Sequence, residues 1–212
     1  MIRRRSVAEA VDRLSLFSNH RRSMKHLLIA TTFALAANGV AHAETVIYRA
    51  DPSHTLVTFE VKHFISTTRG RFDKKEGSIS IDRAARTGKV DVTIETSSID
   101  TGIAALDTYL KSKEFFNTAE APTAIFSGDK FSFDGDKITG VSGTLTMLGK
   151  TLPVTLKATG FDCYQSPFFK REVCGGDFET TIARSQWGMS YGVNYGIGDN
   201  IRLLIQIEAV KQ

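Results

Sequence analysis

The chain has 212 residues, a formal net charge of +4 and only two cysteines, and its length predicts one domain or at most two. The excess positive charge lies in the first 43 residues, because 20 basic and 21 acidic residues follow Ala43. The part after Ala43 is therefore near neutral. This excludes the strongly basic surface of a nucleic-acid-binding protein, so no nucleic-acid partner is expected.

The first 43 residues have the pattern of an export signal. A basic start at Met24–His26 precedes an apolar stretch, Leu27–Ala37, that is too short to span a bilayer. Ala41–Ala43 then matches a small-x-small cleavage site. We predict that residues 1–43 form an N-terminal extension with a secretory signal peptide cleaved after Ala43. The product would be a periplasmic protein without a stable membrane span, and a twin-arginine signal at Arg21–Arg22 is the alternative route.

From residue 44 onward, apolar and polar side chains alternate, which is typical of strands with one buried face. The alternation recurs in eight runs, which are 55–62, 77–81, 90–95, 124–133, 138–147, 152–159, 177–184 and 201–210. Turn-forming residues separate these runs, so we predict an all-β domain over residues 44–212 with about eight antiparallel strands. The pattern alone leaves open whether the strands form a sandwich or a closed barrel.

One stretch, after the third predicted strand, breaks the alternation. Ile103, Leu106 and Leu110 recur there at helical spacing, and Asp100 or Thr101 could cap the start of a helix. We predict one short helix that lies across one end of the sheet.

Cys163 and Cys174 are separated by ten residues, a spacing that fits neither a redox motif nor a zinc knuckle. An oxidising compartment favours a structural disulfide between them, and a free buried pair is the alternative. No metal site is predicted. His54 and His63 are too far apart along one strand to share an ion, and no other histidine follows Ala43.

The residues that could carry catalysis form no convincing constellation. Asp51, Ser53 and His54 are close in sequence, but neighbours in an extended chain point to opposite sides, so a catalytic triad is not expected. Asp51-Pro52-Ser53 is better explained as a turn. A hydrolase or isomerase of apolar substrates would depend on His63 as its acid or base. We predict that the protein is not an enzyme and that it uses no cofactor.

Aromatic residues give the positive signal. Of 14 phenylalanines, all but Phe17 and Phe33 follow Ala43. They could fill an ordinary core, which would favour a non-catalytic stress-protection or interaction module. In a closed barrel they could instead line a ligand chamber.

Several blocks of sequence also resemble the YceI-like family of periplasmic polyisoprenoid-binding proteins. In chain order the blocks are Asp51–Thr55 with Phe59–His63, Arg69–Phe72, Ser98–Gly102, Phe115–Asn117, Gly143–Met147 with Val154–Leu156, and Arg184–Met189. The resemblance implies a lipocalin-like extended barrel with a helix at one end, holding a polyisoprenoid, quinone or fatty amide, and it implies a homodimer. Many members carry an Arg-Asp-x-His-Leu run on the helix, where this chain has Leu106–Leu110 and lacks both the guanidinium and the imidazole.

Together these observations predict a carrier that binds an apolar lipid or isoprenoid quinone inside the barrel. The residues predicted to line the chamber are Val57, Phe59, Val61, Phe72, Val92, Ile94, Phe116, Phe126, Leu145, Trp187 and Ile205, with His63 and Tyr109 near the opening.

Overall fold

The computed structural model describes residues 45–212, so the predicted signal peptide lies outside the described residues. The strands are β1 (Val46–Ala50), β2 (Leu56–His63), β3 (Ser66–Phe72), β4 (Lys75–Asp82), β5 (Thr87–Glu95), β6 (Ile99–Asp100), β7 (Thr123–Asp134), β8 (Lys137–Met147), β9 (Lys150–Gln165), β10 (Glu172–Ala183) and β11 (Ile197–Lys211). The single α-helix of this part, α1, runs from Ala104 to Leu110, and 3₁₀ turns lie at Thr96–Ser98, Arg184–Trp187 and Val193–Tyr195. Within residues 45–212, no helix has the length and apolarity to cross a membrane.

The strands close into an antiparallel barrel. Around the ring the order is β1, β4, β5, β7, β8, β9, β10 and β11, and β11 pairs back with β1 through contacts such as Ala50 with Ala209. This confirms the prediction of about eight strands and excludes the sandwich. Closure gives β1 and β11 partners on both sides, whereas β6 pairs only with β3.

Three of the eight positions in the ring hold two successive strands each. β1 and β2 pair with opposite ends of β11. In the next position, β4 pairs with β1 and β3 pairs with β2. In the third position, β5 pairs with β4 and β6 pairs with β3. β6 has only two residues. The wall therefore has much less strand pairing at the end of the barrel that contains β2, β3 and β6.

β1 and β3 were not among the strands predicted from the sequence. β3 has the sequence STTRGRF, in which Phe72 is the one large apolar residue, so the alternation that marks the other strands is too weak to recognise. β3 forms because all seven of its residues pair with β2. Its Gly70 lies under the ring of Phe59, which occupies the place that a Cβ would take.

The predicted helix is confirmed as α1, but the expectation that Asp100 or Thr101 caps it is wrong. The N-cap residue is Ile103, which makes no side-chain cap hydrogen bond. Thr101 instead donates to the Asp107 carboxylate through its backbone N–H at 2.7 Å and its hydroxyl at 2.6 Å. The segment before the helix is thus hydrogen-bonded to a side chain of the helix itself.

The predicted disulfide is confirmed. Cys163 on β9 and Cys174 on β10 lie directly opposite each other, with their Cα atoms 4.1 Å apart. At the same end of the barrel, the buried hydroxyl of Tyr48 donates to the carboxylate of Glu172. Here covalent and polar links therefore join strands whose buried residues, such as Tyr48 and Cys174, belong to one packed apolar cluster.

Candidate functional site

An apolar cavity of about 280 Å³ occupies the end of the barrel that contains β2 and β3. Its walls come from these strands, from α1, from the segment that follows the helix, and from the neighbouring ends of β5, β7, β8, β10 and β11. The volume lies close to the lower limit of about 300 Å³ that is usual for small-molecule pockets. The barrel therefore encloses space that its own side chains do not fill.

A second cavity, of about 80 Å³, lies further along the same interior. Leu203 and Ile205 are two positions apart on β11 and so face the same side, yet Leu203 lines the larger cavity and Ile205 the smaller one. On β5, Ile94 likewise lines the larger cavity and Val92 the smaller one. The two cavities are thus successive chambers along the barrel.

Most of the residues predicted to line a chamber are found at these cavities. The larger cavity is lined by Val57, Phe59, Val61, His63, Phe72, Ile94, Tyr109, Phe116 and Leu145, and the smaller one by Val92, Phe126 and Ile205. Trp187 lines neither. Its side chain is 2% exposed and its indole N–H donates to the carbonyl oxygen of Leu145 at 3.2 Å, so it holds the wall rather than facing the chamber.

Sequence reasoning missed part of the lining. The missed residues are Thr68, Leu106, Leu110, Phe115, Ala124, Met147, Ile182, Arg184, Met189, Ile197, Ile201 and Leu203. Period two along β11 relates Ile201 and Leu203 to the predicted Ile205, so the same signal could have found them. Arg184 has no such signal, because a charged residue is not expected among apolar wall residues.

Two polar side chains, those of His63 and Tyr109, mark the opening of the larger cavity. His63 and Tyr109 are both exposed to solvent and both line the cavity. Tyr191 lies beside Tyr109, with ring centroids 5.8 Å apart. A hydrogen bond with Tyr191 raises the pKa of Tyr109 to about 12.

Arg184 is a buried cation in the wall. It is 3% exposed and donates to the carbonyl oxygens of Met189, Tyr191 and Gly198 at 2.7, 2.8 and 2.9 Å. Burial lowers the pKa of the guanidinium. Since its N–H groups point at these carbonyls, Arg184 fixes the loop between β10 and β11, which borders the cavity.

The family follows from comparison with known proteins. The YceI-like domain matches residues 48–209. The chain belongs to the YceI-like family. Protein YceI of Escherichia coli O157:H7 is 31% identical over 193 residues, which cover 89% of this chain and 100% of that relative.

Solved structures share the fold of this YceI-like chain. BcnA of Burkholderia cenocepacia superposes with a TM-score of 0.63 at 22% identity, over 75% of this chain and 98% of BcnA. A polyisoprenoid binding domain from Saccharophagus degradans gives a TM-score of 0.56 at 15% identity, over 78% of this chain and 98% of that domain. At these identities the similarity establishes the architecture of the barrel.

The Leu106–Leu110 run, which the resemblance marks as a departure, lies at the larger cavity. Leu106, Tyr109 and Leu110 of α1 all line the larger chamber. Leu106 and Tyr109, at the two positions where the resemblance implies a guanidinium and an imidazole, therefore face the site.

Asp51 and His54 form the one acid–base pair that the sequence analysis had considered. The turn between β1 and β2 brings them together, with His54 Nδ1 2.7 Å from the Asp51 carboxylate, whereas an extended chain would have separated them. The contact lowers the pKa of Asp51 and raises that of His54. Ser53 donates its backbone N–H to Asp51, and neither Asp51 nor His54 lines the described cavities. The pair thus stabilises a turn.

Among residues 45–212, the one group of three potential metal ligands is Cys163, Glu172 and Cys174. Both sulfur atoms belong to the disulfide, so they are not available as thiolate ligands.

Proposed function

We propose that this protein is a non-catalytic periplasmic carrier that holds a long apolar chain, such as a polyisoprenoid, a quinone or a fatty amide, inside the barrel. The apolar cavity of about 280 Å³ inside the barrel carries the proposal. The structural neighbour from Saccharophagus degradans, which is named as a polyisoprenoid binding domain, supports the choice of ligand class.

The driving force would be the transfer of apolar surface out of water. A ligand that loses on the order of 400 Å² of apolar surface gains about 10 kcal/mol at about 25 cal/mol per Å², before the entropic costs of association. Such binding depends on shape and dryness, and it needs few polar contacts. The lining, in which polar groups are confined to His63, Thr68, Tyr109 and Arg184, suits this mode.

We place the head of the ligand near His63 and Tyr109, because both reach solvent and the cavity. Its chain would run past Val57, Phe59 and Leu203 towards the smaller chamber. Phe126 and Ile205 belong to the smaller chamber, so a longer chain would have to displace their side chains.

The proposed location follows from the signal pattern of residues 1–43 and from the disulfide. A Cys163–Cys174 bridge forms and persists in an oxidising compartment, which fits export with cleavage after Ala43. The proposal also includes a homodimer, which rests on the resemblance alone. Bound lipid is the only ligand that we propose for the protein.

The alternatives receive less support from the geometry. A stress-protection or interaction module with a filled core does not account for the apolar cavity inside the barrel. A hydrolase or isomerase would need a partner for His63, and within the described part of the chain no carboxylate contacts that ring.

The test uses two adjacent residues of β11. Leu203 lines the larger chamber, whereas Leu204 lines neither chamber and points to the other side of the strand. Leu203→Trp should fill the chamber and weaken the uptake of an added prenyl alcohol at least tenfold, whereas Leu204→Trp should bind like wild type. Native mass spectrometry of each protein measures both co-purified lipid and uptake.

Wild-type protein that carries no lipid and takes up no prenyl alcohol would contradict the proposal. Equal uptake by Leu203→Trp and wild type would contradict the location of the site.

A further inference from the structure

Exposed apolar and aromatic side chains gather where the larger cavity opens. The turn between β2 and β3 carries Phe64 and Ile65, which are 63% and 101% exposed. Tyr191 and Tyr195, on the loop before β11, are 50% and 80% exposed, and Tyr109 of α1 is 39% exposed. These five residues are called the rim below.

Contacts join the rim into one surface around the opening. The backbone N–H of Phe64 donates to the carbonyl oxygen of Gly196 at 2.9 Å, which links the β2–β3 turn to the loop before β11. The rings of Tyr109 and Tyr191 meet edge to face. Since His63 and Tyr109 also line the cavity, the rim is continuous with the cavity wall.

Phe64 and Ile65 are unusual residues for the tip of a β-turn. His63 pairs with Ser66 across a two-residue turn, and Phe64 has a φ of 52°. Turns of this kind favour asparagine or glycine, and a fully exposed Ile65 gains nothing from burial in the fold. A residue choice that breaks a local rule without a gain in packing points to a functional constraint.

We propose that the rim docks on the surface of a lipid bilayer, with Ile65 entering the boundary between headgroups and acyl chains. This inference rests on the proposed carrier function and names the surface through which the lipid enters and leaves. A long apolar chain that left through water would expose every methylene at a cost of about 0.8 kcal/mol each. An opening placed against a bilayer avoids that exposure.

The composition of the rim suits a bilayer. Three of its five residues are tyrosines, whose apolar ring and polar hydroxyl favour the interface between membrane and water. Lys62 beside the turn and Lys150 beside Met147 of the cavity wall are exposed. No carboxylate of residues 45–212 pairs with either lysine within 4.0 Å. Lys150 Nζ donates to the carbonyl oxygen of Gln186 at 3.2 Å, which leaves its charge uncompensated, so both lysines can attract anionic headgroups.

The opposite end of the barrel offers a matched control. Phe168, between β9 and β10, is 91% exposed. It lies near the end of β11 at Lys211, because Val173 pairs with Val210, whereas the rim lies near the start of β11, where Ile197 pairs with His63. Phe168 is thus a large exposed apolar residue outside the rim.

The experiment measures co-sedimentation of protein purified after export with vesicles of phosphatidylethanolamine and phosphatidylglycerol. Removing one large apolar side chain from the bilayer contact should lower the partition coefficient about tenfold. We therefore expect Ile65→Ser to bind vesicles about tenfold more weakly than wild type and Phe168→Ser to bind like wild type. Neither side chain is buried, so both variants should keep the fold.

A second measurement separates docking from the carrier function. Uptake of a short-chain fluorescent fatty acid, which is monomeric in water, is followed without vesicles. Equal uptake by wild type and Ile65→Ser, together with the loss of vesicle binding, supports docking. If wild type takes up no fatty acid but Ile65→Ser still loses vesicle binding, the carrier function is overturned and membrane docking is supported.

Three outcomes would overturn the docking proposal. They are wild-type protein that does not bind vesicles, Ile65→Ser that binds as well as wild type, and Phe168→Ser that loses as much binding as Ile65→Ser. A wild-type dimer that Ile65→Ser converts to a monomer, without vesicle binding by wild type, would assign the rim to a second copy of the chain instead.

Discussion

At one end of the barrel the interior side chains leave a chamber of about 280 Å³, and at the other end they leave about 80 Å³. The difference begins in the wall. Near the larger chamber the strand β6 has two residues and the helix α1 buries no residue completely, whereas β7, β8 and β10, with 11 or 12 residues each, border both chambers. Interrupting the strands therefore creates both the space and its entrance.

The two ends are also held together differently. The filled end has the disulfide and the hydrogen bond from Tyr48 to Glu172. At the hollow end, the guanidinium of Arg184 holds carbonyl groups of the loop between β10 and β11, and Thr101 is hydrogen-bonded to Asp107. Changes at the filled end should therefore alter stability with little effect on ligand uptake.

Removing the disulfide should have the largest effect on stability, and it tests whether the filled end is independent of the ligand cavity. We expect Cys163→Ala combined with Cys174→Ala to lower the free energy of unfolding by about 3 kcal/mol, because the unfolded chain regains the entropy of an open loop. Urea unfolding measures this change, and uptake of a prenyl alcohol should stay at the wild-type level. Loss of uptake at unchanged stability would show that the two ends are not independent.

The buried phenol at the filled end adds a pH dependence. Burial, followed by the hydrogen bond to Glu172, raises the pKa of Tyr48 to about 12 from an ordinary value of 10.0. The neutral phenol is thus the form that the fold stabilises. Its contribution is complete below pH 10 and is lost as the pH rises through about 12.

We expect Tyr48→Phe to lower the free energy of unfolding by about 2 kcal/mol near neutral pH, since a hydrogen bond to a charged group is lost. The difference between wild type and variant should shrink as the pH rises above 10. Urea unfolding of both proteins over that range measures it. A difference that stays constant with pH would show that the phenol does not titrate as described.

The sequence predicted the strands with regular alternation better than the turns and the polar strand β3. Strict alternation identified β11 and placed Val57, Phe59 and Val61 on an inward face, because a one-sided strand leaves a period of two in the sequence. The role of Trp187 could not be predicted in this way. It lies in a 3₁₀ turn, where the period of the preceding strand no longer determines the direction of the side chain.

Arg184 and β3 escaped prediction for a related reason. The partners of the guanidinium are backbone carbonyls up to fourteen positions away, and backbone groups leave no trace in the residue pattern. The polar strand β3 depends on its pairing with β2 and on the close approach of Gly70 to Phe59. Both features depend on tertiary contacts rather than on local preference.

Gly70 allows a test of whether the hollow end is less closely packed than the filled end. A Cβ at this position would overlap the ring of Phe59, whose side chain borders the larger cavity. The ring has free space beside it and can turn into the chamber. At the filled end, a Cβ on Gly175 would overlap the carbonyl oxygen of Ile207, and that backbone can move only if β10 and β11 separate.

We therefore expect Gly70→Ala to lower the free energy of unfolding by about 1 kcal/mol, at the low end of overpacking costs, and Gly175→Ala to cost more, up to about 3 kcal/mol. Ligand uptake should show the opposite order, because the displaced Phe59 ring occupies part of the larger chamber only in Gly70→Ala. Urea unfolding and prenyl alcohol uptake of the two variants measure both effects. If Gly70→Ala cost as much as Gly175→Ala and left uptake unchanged, the space beside Phe59 would not be available in solution, and the hollow end would be as closely packed as the filled one.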